Sequence, residues 1–494
     1  MAGKMSPKAN RKKRQRGIAL IVVLVLLGLL VGVLVVGFTG DLARQNKKQQ
    51  QTTEALAKAK EALIGYAAGV NLAVGASRPG DLPCPDMDND GDADAVPPCS
   101  GAALGRLPWK TLGLPDLRDG DGERLWYAVS SNFKNNPRTT CTAPGQPGCL
   151  NSDSRGTITI RDKSGIVTNA GSNPDPFTPS GVIAVVFAPG AVLQRQGSAA
   201  PQDRSCTIGV NCDSTEKCTT SPTSLTPKCN PVNYLDVLTG VEDNANFIDG
   251  SDTNGFINGE ARDSSNNVVV NDRLLTITYQ DLMPLLERRV TKEVFNCLTT
   301  YAAQNGNRYP WAADMSNSAS GDYSDTMNTR FGRIPNYPLN QTAFGLIVPP
   351  LTSAICNTTP PLVCMQTTWP SSCPITMGTW WKNWKEQVLY GVAEAYKPAF
   401  PLIIIPVPFT PAAPAPICGS CLTLNPPSIA ADKKFVVMVA GKRLEAVPGQ
   451  QPRTSGANKS TVANYVEDEN ATSLDDTFSQ KPVTATFNDY LLFQ

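Results

Sequence analysis

The chain has 494 residues, only 18% of them charged, with 39 Gly, 41 Pro and 14 Cys. That length exceeds one ordinary domain, and the Gly and Pro content predicts a turn-rich chain with much β structure. There is no histidine, which excludes His-based catalytic triads, His zinc sites and an imidazole proton shuttle.

The net charge of +1 conceals an asymmetry. Lys4, Lys8, Arg11, Lys12, Lys13, Arg14 and Arg16 precede the first acid. The rest of the chain is therefore net negative, and no nucleic-acid partner is expected. From Gly17 to Gly40 there is no charge, and Ile, Leu and Val dominate. As a helix rising about 1.5 Å per residue, this run spans about 36 Å, against a hydrocarbon core of roughly 30 Å. The basic residues ahead of it and Asp41 behind it predict a single pass with the N-terminus cytoplasmic. Gly37 and Gly40 close a run too long for an ordinary cleavable signal, whereas Gly17 directly follows Arg14-Gln15-Arg16.

Arg14-Gln15-Arg16-Gly17 followed by Ile18-Ala19-Leu20-Ile21-Val22 resembles the leader of type IV pilins and type II secretion pseudopilins. The resemblance implies cleavage between Gly17 and Ile18 by a prepilin peptidase at the bacterial inner membrane. It also implies methylation of the new terminus and packing against other pilins or pseudopilins through the apolar helix. Most family members carry Glu at the fifth mature position, where this chain has Val22. The minor tip pseudopilin of type II secretion lacks that acid too and has an oversized head, so a minor or tip subunit is implied. A plain signal anchor is the alternative.

Asp41 to Ala68 has no Pro, no Gly before Gly65, and many good helix formers. Leu56, Ala59, Leu63 and Tyr66 are read as one apolar stripe on a polar rod, a continuation of the first helix under a globular head.

Several strings recur in order. Tyr66-Ala67-Ala68 returns as Tyr301-Ala302-Ala303, and Gly105-Arg106-Leu107-Pro108 as Gly332-Arg333-Ile334-Pro335. Ile183–Ala188 matches Phe435–Ala440, Asn233-Tyr234-Leu235-Asp236 matches Asn464-Tyr465-Val466-Glu467, and Asn271-Asp272 matches Asn488-Asp489. Five matches in one order predict a tandem duplication. Each unit reads as a helix followed by short strands such as Thr157–Ile160, Val182–Phe187 and Leu274–Thr278. The second helix is expected from Asp281 to Ala303, with Pro284 in its first turn.

The expected fold class is α+β: a long N-terminal transmembrane helix continuing into two pilin-like heads, each a helix on a small antiparallel sheet, rich in loops and disulfides. The expected divisions are a leader at 1–17, a transmembrane helix at 18–40, its continuation at 41–69, and heads at 70–280 and 281–494.

Asp86, Asp88, Asp90, Asp92 and Asp94 form the strongest chemical constellation. Acids at loop positions 1, 3, 5 and 9 with Gly91 at position 6 match the start of an EF-hand-like calcium loop. Position 12 is Pro97 rather than Glu, so remaining ligands must come from elsewhere; a solvated acidic turn is the alternative. Oxygen ligands alone favour Ca2+ over zinc or copper. Asp119-Gly120-Asp121-Gly122 and the stretch from Asp243 to Glu260 are weaker acidic loops.

All cysteines lie beyond residue 80, in even number and mostly in loop sequence, which predicts disulfides in an oxidising compartment, here the periplasm. Cys84 with Cys99, Cys141 with Cys149, and Cys418 with Cys421 are the near-neighbour candidates. Cys418-Gly419-Ser420-Cys421 is also a CxxC spacing, but it lacks a βαβ setting and is expected to be a staple.

Trp380, Trp381, Trp384 and Tyr390 are either core or a contact patch for a partner or carbohydrate. The run from Phe400 to Pro416 is a stiff apolar insertion. No nucleophile elbow, P-loop, dinucleotide fingerprint or metalloprotease motif occurs, so an enzyme is not expected. The expected function is a minor or tip subunit of a type IV pilus or type II secretion pseudopilus that primes assembly or meets secreted cargo or surface ligands. The alternative is a membrane-anchored periplasmic adhesin or binding protein outside any fibre.

Overall fold

The computed structural model describes residue 3 and residues 42–72, 78–94, 103–134, 149–171, 181–218, 227–249, 255–316, 323–326, 328–338, 368–373, 375, 380–398, 418–426, 430–444 and 449–494. The apolar run 18–40, nearly all of the leader and the insertion from Phe400 to Pro416 lie outside them.

Two helices and two four-stranded sheets organise the described chain. The first helix, α1, covers residues 42–69. Its Ala55, Leu56, Ala59, Leu63 and Ala67 are buried in the main core. At 100° per residue, Ala67 lies about 20° from Leu56 around the axis, whereas Tyr66 lies about 80° away. The stripe therefore ends on Ala67, and Tyr66 sits half-buried at its edge.

The exposed positions of α1 are mostly Arg, Lys, Gln, Glu and Thr. Among the described residues no helix is long and apolar enough to cross a membrane. The expected fold class is corrected accordingly. The described chain is α+β with small sheets, and the long transmembrane helix is not part of it, because α1 offers one narrow apolar stripe to a protein core.

The second helix, α2, is Tyr279–Gln304. Thr278 caps it, and Asp281 accepts the Thr278 N–H at 2.8 Å, a capping box. The helix starts two residues before Asp281, so Pro284 falls in the second turn. Its missing N–H would have paired with the Gln280 carbonyl, a cost that tertiary packing of Leu282, Met283 and Leu286 offsets.

In the first sheet, Leu104–Arg106, Trp126–Val129, Ala184–Ala188 and Arg273–Ile277 pair antiparallel in that order. In the second sheet, Phe331–Arg333, Val388–Val392, Phe435–Val439 and Tyr490–Phe493 pair in the same way. Each has a three-stranded satellite whose last strand joins in parallel: Val167–Asn169, Ile160–Asp162 and Phe256–Asn258 in one, Ala430–Lys433, Leu422–Leu424 and Thr477–Phe478 in the other.

Successive strand residues point to opposite faces. Tyr127, Val129, Ala184 and Val186 face the core that contains α1, while Trp126, Ala128, Val185 and Phe187 face a second core with Ile160 and Phe256. Both faces of the first sheet are therefore covered, which is why Ala184–Ala188 reads as an unbroken apolar run.

The main core runs without interruption from α1 through α2 into the second sheet. Trp380, Trp381, Trp384 and Tyr390 lie within it, at 3% exposure or less, and are packing residues.

Candidate functional site

The acidic loop is built around Asp86, which is 1% exposed. Its Oδ1 accepts the N–H of Asn89 at 2.6 Å and its Oδ2 that of Gly91 at 2.7 Å, so the first carboxylate folds the turn onto itself. Gly91 has φ +91°, and a Cβ there would meet the Trp109 ring at 2.5 Å; only glycine fits. Carboxylate oxygens of Asp86, Asp88 and Asp90 all lie within 4.8 Å of one another.

Asp92 and Asp94 do not join that group. Asp92 is exposed, 3.7 Å from the Lys110 ammonium, and Asp94 turns back to accept the Met87 N–H at 2.5 Å. Between Asp88 and Asp90 stands the Lys217 ammonium, at 2.9 and 2.7 Å. It comes from 127 residues away and is held there by its neighbour Cys218, whose N–H donates to the Asp88 carbonyl at 2.7 Å and whose sulfur is bonded to Cys229.

The electrostatics follow. Burial pushes the Asp86 carboxyl up to about 7 despite its backbone donors. Burial acts on Asp90 in the same direction, but the Lys217 hydrogen bond and the Asp92 N–H outweigh it and hold that carboxyl below its ordinary value. The donor set is all oxygen and suits a hard cation, with Lys217 as the charge such a cation would have to displace.

The weaker acidic loops have structural duties. Asp119 is buried and accepts the N–H groups of Asp121, Glu123 and Gly190, each at 2.9 Å. Asp121 pairs with Lys48 of α1 at 2.6 Å. Asp249 accepts the Ser131 N–H at 2.6 Å, while Asp252 and Asn254 lie outside the described residues.

Cys418 and Cys421 form a disulfide. Cys84 and Cys149 are disulfide-bonded as well, whereas Cys99 and Cys141 lie outside the described residues, as do Gly17 and Ile18. Three more bridges join Cys206 to Cys212, Cys218 to Cys229, and Cys297 to Cys373. The last spans 76 residues and ties α2 to the segment before the Trp cluster, a pairing that near-neighbour spacing could not suggest.

A buried polar network escaped the sequence reading and occurs twice. In the first copy, Asp272 Oδ2 accepts the Asp236 N–H at 2.7 Å and Asn244 Nδ2 at 2.9 Å, and Asp236 accepts the Asn271 N–H at 2.8 Å and Gln202 Nε2 at 3.0 Å. In the second, Asp489 Oδ2 accepts the Glu467 N–H at 3.0 Å and Asn470 Nδ2 at 2.8 Å. Glu467 in turn accepts the Asn488 N–H at 2.9 Å and Gln450 Nε2 at 2.8 Å. Arg204 lies 4.7 Å from the Tyr234 ring centroid and Arg453 4.6 Å from that of Tyr465.

Burial pushes Asp236 up to about 6 and Asp272 well above the carboxylate range. Burial likewise raises Glu467 and, further, Asp489. Both pairs are buried, and their hydrogen bonds hold loops to the starts of strands. Comparison with family models, curated proteins and solved structures finds no match.

Proposed function

We propose that the chain is a minor or tip subunit of a type IV pilus or type II secretion pseudopilus, a structural and recognition protein rather than an enzyme. The observation that carries this is α1 itself. Residues 42–51 are exposed, and the same helix then buries Ala55, Leu56, Ala59, Leu63 and Ala67 against a four-stranded antiparallel sheet. A helix that begins exposed, meets the rim of the head through Lys48, Gln49 and Gln51, and is anchored in the core at its other end suits a stem-mounted subunit.

Ten cysteines, every one among the described residues, are disulfide-bonded, which supports export to an oxidising space such as the periplasm. The Arg16-Gly17-Ile18 junction supports processing by a prepilin peptidase at the inner membrane. Other pilins or pseudopilins would then be the partners, with secreted cargo or a surface ligand met by the heads. Calcium is the proposed ligand of the Asp88 and Asp90 carboxylates.

Mass spectrometry of the mature N-terminus tests the fibre role. A terminus at Ile18, lost when the prepilin peptidase is deleted, with the protein recovered in sheared fibres, is the expected result. An intact first residue overturns it and leaves the binding protein outside any fibre.

A further inference from the structure

We infer that the cleft between the first turns of α2 and the last strand of the second sheet is a binding site for a short acidic peptide segment. The cleft has a volume of about 730 Å3, within the ~300–1,000 Å3 of ordinary ligand sites. Arg288 of α2, Lys442 and Arg443 of the loop after Phe435–Val439, and Lys481 of the following loop all line it.

The duplication supplies an internal control. Ala188 pairs with Arg273 and Val439 with Tyr490, a register one residue off the sequence match of Ile183–Ala188 with Phe435–Ala440, so Ala191 and Val192 stand where the second unit has Lys442 and Arg443. Asn271 Nδ2 donates to the Ala191 carbonyl at 2.9 Å, as Asn488 Nδ2 does to that of Lys442 at 2.6 Å. The next residue closes the match: Leu193 N–H donates to Gln202 Oε1 at 3.2 Å, and Leu444 N–H to Gln450 Oε1 at 2.6 Å. Aligning Leu63 with Leu298 sets Thr53 against Arg288, and aligning Phe256 with Phe478 sets Gly259 against Lys481.

Four uncharged positions in one unit are thus four cations around one cleft in the other. In the opposite direction, Arg273 of the first unit stands at the Tyr490 position, and it is engaged by the Gln49 carbonyl at 3.4 Å and Thr53 Oγ1 at 3.2 Å. The first unit forms the same four-stranded sheet order without cations at these four positions, and of the four Arg443 also donates to the Gln450 carbonyl at 3.2 Å.

Among the described residues, the acids that line the cleft are Glu287 and Asp489. Burial pushes Glu287 up to about 8 and Asp489 well above the carboxylate range, so near neutral pH neither offsets the cations. On the rim, Lys481 is shared with Asp468 at 2.6 Å.

The shape of the wall selects among anions. Pro284, Pro482 and Val483, the last 72% exposed, give an aliphatic surface beside the charges. The two ring faces, Tyr279 and Tyr490, already carry Lys442 at 5.2 Å and Arg288 at 5.5 Å. A peptide that alternates carboxylates with aliphatic side chains satisfies both the cations and the aliphatic wall.

Fluorescence anisotropy on the full chain tests this with a labelled hexapeptide of alternating Glu and Leu. The expected result is saturable binding that weakens at least tenfold in Lys442→Ala/Arg443→Ala and again in Lys481→Gln, with no binding of a Gln/Leu hexapeptide. Equal binding by the variants or by the neutral peptide overturns the assignment. Inorganic phosphate or a six-nucleotide oligothymidylate competing as strongly as the acidic peptide also overturns it, and shows a plain anion or nucleic-acid site. Two independent surface variants keep the test readable if one misfolds, and none of these outcomes depends on incorporation into a fibre.

Discussion

The backbone N–H of Asp236 donates to Asp272 Oδ2 at 2.7 Å, and the Glu467 N–H donates to Asp489 Oδ2 at 3.0 Å. Each pair brings two buried carboxyls together, and in each the second acid fastens a loop to the start of the last strand of its sheet.

This geometry sets a pH dependence. Asp236 rises from an ordinary 3.8 to about 6, because burial outweighs its donors from Asn271 and Gln202, and Asp272 lies higher still. The folded state therefore binds protons more tightly than the unfolded chain. For Asp236 the stabilisation is fully present below about pH 4 and is lost as pH rises through about 6, an effect on the order of 3 kcal/mol. In Asp272→Asn the side chain stays neutral and keeps its acceptor. Thermal melts from pH 4 to 7 should show a falling Tm in the parent chain and a flatter profile in the variant. Parallel profiles would count against the raised Asp272 carboxyl as a source of the pH dependence.

Lys217 makes a separate prediction about calcium. Its ammonium sits on Asp88 and Asp90 as an internal counter-ion, so calcium must displace it. Calorimetric titration of the parent chain should give calcium heat that disappears in Asp88→Ala/Asp90→Ala. Lys217→Met, which leaves the carboxylates without that charge, should bind calcium about tenfold more tightly. Heat that persists in the double variant would place calcium elsewhere.

Legibility in the sequence followed length and period. Leu56, Ala59 and Leu63 announced the buried face of α1 because helical spacing repeats over several turns, and only the last residue of the stripe was misread. Gly105-Arg106 and Gly332-Arg333 stood out as recurring strings because each Arg is buried against aromatic rings. Arg106 stacks over Trp126 and Tyr234, and Arg333 over Tyr323 and Tyr465. The strands expected at Thr157–Ile160 and Leu274–Thr278 form at Ile160–Asp162 and Arg273–Ile277, a drift of one to three residues.

The satellite sheets, with strands of two to four residues, are too short to carry a period. Gln202, Gln450 and Asn244 are single polar residues in loops and Asn470 one in a short 3-10 helix, and nothing local marks them as buried donors. The approach of Lys217 to the acidic loop depends on the Cys218–Cys229 bridge, which the spacing of the acids could not reveal.

The matched helices allow a direct comparison of packing. Leu63 and Leu298 occupy equivalent positions on α1 and α2, and both are 0% exposed in the same core. Leu63→Ala and Leu298→Ala should each cost about 2–5 kcal/mol. Because the core is continuous, chemical denaturation should remain a single transition in either variant. A biphasic curve from Leu63→Ala alone would show that the first unit unfolds independently of the second.

The contact between the two units turns on Asn383. Its Oδ1 accepts the Leu150 N–H at 2.8 Å and Arg78 at 3.4 Å, and its carbonyl accepts Asn151 Nδ2 at 3.0 Å. Beside it, Asp153 accepts Gln387 Nε2 at 2.9 Å and pairs with Arg453 at 3.0 Å. Asn383→Leu preserves approximate volume but strands the buried Leu150 N–H, a loss of about 1–3 kcal/mol. The bond from Asn151 goes to a backbone carbonyl, so the substitution leaves that partner in place and isolates the side-chain contribution. Hydrogen exchange should then report faster opening at Leu150, while amides in Phe435–Val439, buried throughout, exchange as in the parent. Unchanged protection at Leu150 would mean that the surrounding apolar packing, rather than this hydrogen bond, holds the two units together.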